Sequence, residues 1–84
     1  MESWTQLEAF VRTGSDDAFE AVVSNHIDMV YATALRKTDK PDAASEITQA
    51  TFILLAEKAG KLKQQGSLGA WLHRSALFKS MESR

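Results

Sequence analysis

The sequence predicts an all-α fold, a compact bundle of four helices, and three observations carry that prediction. One proline and four glycines divide the 84 residues into four segments. Within each segment apolar residues recur at three- and four-residue steps, the period of a helix with a buried face. No stretch alternates polar and apolar residues long enough to suggest a strand. At this length folding hides only a little over ~60% of the unfolded chain's surface, so a single domain over residues 1–84 is expected and a large enzyme pocket is not.

In the first segment Trp4, Leu7, Phe10 and Val11 fall at helical spacing, and the helix should end near Thr13-Gly14. Ser15, Asp16 and Asp17 then offer a capping oxygen and negative charge to the free amides of a second helix, expected over 17–37. Its stripe of Phe19, Val22, Val23, His26, Val30 and Ala34, flanked by Ile27, Tyr31 and Leu35, is wide enough for burial on more than one side. Arg36 and Lys37 close it with positive charge. Thr38-Asp39-Lys40-Pro41 makes a break, and Pro41 suits the first turn of a third helix over 41–59. There Ala44, Ile47, Thr51, Leu54 and Leu55 share one face, while Ser45, Gln49, Phe52 and Ala56 share a neighbouring one. Only one of these faces can point at the core. Gly60 is the expected C-terminal cap. After a polar, basic connection, Ser67 should cap a fourth helix carrying Leu68, Trp71, Leu72, Ser75, Phe78 and, at its end, Met81.

Net charge is −1, but it is unevenly spread. Residues 1–46 hold four cations and nine anions, net −5; residues 47–84 hold six cations and two anions, net +4. A basic half of this kind suits a polyanion, unless the charges are scattered over an ordinary solvated surface.

The same composition excludes several classes of chemistry. Without cysteine there are no disulfides, thiolate metal sites or cysteine nucleophiles. His26 and His73 lack partners at the spacing a metal set needs, and His26 on its apolar stripe reads as structural. Asp16 and Asp17 are adjacent, so they do not face one another on a helix, and capping accounts for them. No phosphate-cradling glycine loop is present. Neither catalysis, a metal nor a cofactor is expected. The longest apolar run, 52–56, is far short of the ~18 residues a membrane span needs, and the N-terminus has no basic leader, so a cytoplasmic protein is expected.

Two features remain. Phe52 beside Ser45, Glu46 and Gln49 either marks a partner-binding face or belongs to a central helix buried on both sides. The group Lys58, Lys61, Lys63, Gln64, Gln65, Ser67, Trp71, His73, Arg74 and Lys79 either holds single-stranded nucleic acid by charge and stacking or is a solvated loop before a helix whose Trp71 is core.

The order of the blocks Asp17-Ala18-Phe19-Glu20, Val30-Tyr31, Ala34-Leu35-Arg36, Asp42-Ala43-Ala44-Ser45-Glu46-Ile47-Thr48-Gln49-Ala50-Thr51-Phe52, Gly66-Ser67-Leu68 and Trp71-Leu72-His73-Arg74 resembles region 2 of bacterial sigma-70 family factors, nearest to the extracytoplasmic-function (ECF) group. The resemblance runs from about Leu7 to Arg84. It implies a domain that docks on core RNA polymerase and helps open promoters. Asp42, Glu46, Gln49 and Phe52 match the family helix that packs on the β′ clamp helices, with Ser45 where the family usually has an acid. Lys61, Lys63, Gln64, Gln65 and Ser67 match the loop, and Trp71, His73 and Arg74 the helix, that capture the non-template strand of the minus-ten element. An anti-sigma factor is a further candidate partner. Ser75, Ala76, Leu77 and Phe78 depart from the family, and Phe78 places an apolar group where a polar, DNA-facing one is usual. Region 4, which reads the minus-35 element in complete factors, is absent from these residues, so this is either an isolated domain of a longer protein or a shortened relative. A helical interaction module that keeps a protein partner without binding DNA is the other reading.

Overall fold

A computed structural model describes residues 3–62 and 66–82. Four helices follow in order: α1 (Ser3–Thr13), α2 (Asp16–Thr38), α3 (Pro41–Lys58) and α4 (Leu68–Glu82). A single 3-10 turn, Ala59–Lys61, extends α3, and no strand occurs among the described residues.

The helix boundaries follow the signals in the sequence. Gly14, at φ 68°, ends α1 with its amide donating to the Phe10 carbonyl at 2.8 Å. The Ser15 hydroxyl caps α2 by accepting from the Ala18 amide, with Asp16 and Asp17 in the first turn. At the other end Asp39 takes the left-handed conformation, φ 59°, and its amide closes on Leu35 at 2.7 Å. Pro41 opens α3, and the Ser67 hydroxyl accepts from the Ala70 amide at 3.0 Å to start α4. Gly60 does not cap. Helix α3 runs on through it as the 3-10 turn, and the glycines with positive φ are Gly14 and Gly66.

Helix α2 is the central element, packed on α1, α3 and α4, as its broad apolar stripe requires. Trp4, Leu7, Val22, Val30, Phe52, Leu55, Leu68, Leu72 and Ala76 form the main core; Ala34, Ala44 and Ile47 form a smaller cluster with Tyr31 and Leu35. The buried hydroxyls of Thr48, Thr51 and Ser80 donate to the carbonyls four residues back, so they enter the core without an orphaned polar group.

One expectation about helix faces is corrected. Phe52, expected on a partner-binding face, is 7% exposed and packs in the main core. The buried arc of α3 comprises Ala44, Ile47, Thr48, Thr51, Phe52 and Leu55, so the first of the two faces seen in the sequence points at the core and draws in Phe52 from the second, whose Ser45 and Gln49 stay exposed. In α4 the buried line is Leu68, Leu72, Ala76 and Ser80, four residues apart. That register turns Phe78 and Met81 outward, and Phe78 is 70% exposed.

Candidate protein and nucleic-acid interfaces

Once the inner arc of α3 is fixed, its outer face follows from the helical period. Asp42, Glu46, Gln49, Ile53 and Glu57 lie three or four residues apart on the side away from the core, and all five are exposed. Three carboxylates on this line make it acidic. Ile53, at 58% exposure, is its apolar centre. Ile53, absent from the residues expected on this face, is marked as a neighbour of Gln49 and Glu46 by its spacing from them. Beside this stripe a groove of about 440 Å³ is lined by Ile27, Asp28 and Tyr31 of α2 and Ser45, Thr48 and Gln49 of α3. A ridge of carboxylates and an amide around one isoleucine, bordered by a groove with a tyrosine, suits a protein partner presenting cations and a small apolar contact.

The outer face of α4 is built from other chemistry. Trp71, Arg74, Ser75, Phe78, Lys79 and Glu82 line a groove of about 400 Å³, closed on one side by Leu54 of α3. Trp71 is half-buried, so one part of its indole packs on the core while the rest lines the groove. Phe78 is one heptad from Trp71 and projects from the same side. Two aromatic rings with a guanidinium and an ammonium can stack on unpaired bases and neutralise the phosphates between them.

The structure brings only part of the expected nucleic-acid set together. Trp71 and Arg74 share the groove. His73 does not: its Nδ1 lies 3.1 Å from the Thr33 hydroxyl of α2, on the other side of the buried line. The Ser67 hydroxyl is engaged by the Ala70 amide as the helix cap. Lys61 is exposed in the 3-10 turn, which packs on α1 and α3. Lys63, Gln64 and Gln65 lie outside the described residues. Lys79 joins the groove and was already among the cations noted in the sequence.

His26 of α2 is half-buried, with its ring about 3.5 Å from where a side chain on Gly69 would begin. Burial pushes its pKa below the ordinary 6.5. Among the described residues no group of three or more His, Asp or Glu side chains could hold a metal ion, and no helix is long and apolar enough to cross a membrane.

Comparison with known proteins adds one finding. The family model described as Sigma-70 region 2 matches residues 22–81. No curated protein and no solved structure matches the chain.

Proposed function

Because the chain belongs to the sigma-70 region 2 family, whose members bind RNA polymerase, melt promoters and are not enzymes, we propose that it docks on core polymerase through α3 and holds the melted minus-ten strand on α4. The observation that carries this reading is the separation of two outward faces of unlike chemistry on one bundle: an acidic stripe on α3 and an aromatic, cationic groove on α4.

On the first face Asp42, Glu46 and Gln49, with Ile53, meet the β′ clamp helices, and Phe52 serves from the interior by locking α3 onto the core. On the second, Trp71 and Phe78 stack on bases of the non-template strand while Arg74, Lys79 and the basic connection, including Lys61, Lys63, Gln64 and Gln65, follow its phosphates. Extruding a base costs a few kcal/mol, and a stacking surface with cations beside it offsets that cost without any bond being made or broken. The ordered blocks of the sequence favour the ECF group and a single domain over residues 1–84, working in the cytoplasm where polymerase is found, with an anti-sigma factor able to compete for the same faces.

The test is a titration of single-stranded minus-ten DNA at several salt concentrations. Binding should weaken steeply with salt and more so for duplex than for single strand, and replacing Arg74 by alanine should reduce the salt slope by about one. Equal affinity for both forms at all salt concentrations would overturn the reading. A second reading, a polymerase- or anti-sigma-binding module without DNA binding, is favoured by three observations: Phe78 is an exposed apolar group in the groove, the His73 ring meets the Thr33 hydroxyl, and the Ser67 hydroxyl is engaged as a helix cap. It predicts clamp binding with no strand binding.

A further inference from the structure

Helix α1 lies outside the residues that match the family model, yet it carries a side-chain hydrogen bond that spans most of the chain. The Trp4 indole Nε1–H donates to the Gly66 carbonyl at 2.8 Å, across 62 positions of sequence. Trp4 is itself buried in the main core. Its ring also lines a groove with Leu7, Ala59, Gly60 and Leu62, at the 3-10 extension of α3. Gly66 holds φ +70°, a conformation open to glycine at little cost. Leu62 is fixed from its own side by its amide donating to Lys58 at 3.1 Å.

One buried side chain therefore holds the carbonyl of the residue just before Ser67, the cap of α4. A carbonyl at a chain reversal has many solvent partners, and the ends of a short connection are otherwise free to shift. A bond to a buried indole removes that freedom, because the indole is held on its remaining sides by core packing. We propose that Trp4 is a positioning residue: it fixes Gly66 against α1, and so sets the start of α4 toward a single strand. Helix α1 is then a brace for the nucleic-acid face. The consequence for strand binding rests on the reading given above; the bracing itself does not.

The experiment uses the 84-residue chain and Trp4→Phe, which removes the N–H and keeps an aromatic ring, beside Val30→Ala, which removes core volume in α2 away from the connection. Both are compared with the unaltered protein well below their melting temperatures. Amide exchange reads the bracing directly. Trp4→Phe should accelerate exchange at Ala70 and Trp71, whose amides donate to the Ser67 hydroxyl and carbonyl, by about 3- to 10-fold more than at the core amides of α2, as the loss of one hydrogen bond implies. Val30→Ala should produce no such selectivity. Uniform acceleration in Trp4→Phe, or none, overturns the proposal whatever the DNA result. In the strand titration Trp4→Phe should lower affinity by a similar factor with an unchanged salt slope, because no phosphate contact is removed. If the unaltered chain fails to bind a strand while exchange responds selectively, the bracing stands and the strand-binding reading fails.

Discussion

The outer faces of α3 and α4 belong to one bundle, but they are held in place in different ways. On α3 the buried arc is broad, its threonines satisfy their hydroxyls within the helix, and the acidic stripe opposite is fixed by the helical period alone. On α4 a narrow buried line of Leu68, Leu72, Ala76 and Ser80 leaves two aromatic residues at the groove, and the helix start depends on Ser67 and on the Trp4–Gly66 bond from a distant helix. A rigid ridge suits a protein surface of fixed shape. A groove whose approach is set by long-range ties suits a flexible strand, and it should be the easier of the two to damage from afar.

The strongest way to break the comparison is to remove what both faces share. Leu55 is fully buried beneath them, and Leu55→Ala should cost about 2–5 kcal/mol, which a urea melt will report as a lower midpoint. Both binding activities should fall in parallel with the folded fraction. Survival of one alone would mean that the faces do not share a core.

Sharper dissection comes from reversing charge on α3. Asp42→Lys combined with Glu46→Lys should weaken binding to a clamp-helix fragment by several kcal/mol if the stripe meets cations, since like charges would then face one another. Both positions are exposed, so the melt should barely change. Strand affinity measured alongside should hold or rise, and a clear loss would merge the two faces into one.

On α4 the corresponding change is Phe78→Ala. Because the ring is 70% exposed, stability should stay within about 0.5 kcal/mol, while strand binding should lose roughly 1–3 kcal/mol if a base stacks there. An unaltered strand affinity would instead favour the module that binds protein only.

The smallest effect concerns His26, next to the start of α4. Its pKa is lower in the folded chain than in the unfolded one, because burial disfavours the charged ring. The unfolded state therefore takes up a proton first as pH falls below about 6.5, and stability should decline from there downward. Above that pH the ring is neutral in both states and adds no slope. Thermal melts of the unaltered protein and His26→Gln between pH 7.5 and 5 should differ in slope only on the acidic side; matching slopes would remove His26 from the account.

Much of this architecture was readable in the sequence because its signals are local. Gly14, Ser15 and Ser67 mark ends with the hydrogen bonds their chemistry suggests, Pro41 opens α3 in its first turn, and all four helices fall close to where spacing put them. The errors concern rotation. Spacing gives the angles between residues on a helix but not which angle faces inward, and that depends on neighbours. Phe52 was drawn inside because α3 packs between two helices, whereas Phe78 faces outward, as the DNA-facing position given by the resemblance does, because α4 packs along a line of four-residue steps. Gly60 lost its role because α3 continued as a tighter turn. The bond from Trp4 to Gly66 and that between His73 and Thr33 join residues 62 and 40 apart, and nothing local announces either.

The claim on which the account rests is that the two faces work independently, and a displacement titration tests it most directly. Labelled single-stranded minus-ten DNA is bound to the chain, and a fragment carrying the polymerase clamp helices is added in excess. The strand should remain bound while the complex grows by the mass of the fragment. Release of the strand in proportion to fragment bound would show one shared surface and contradict the account.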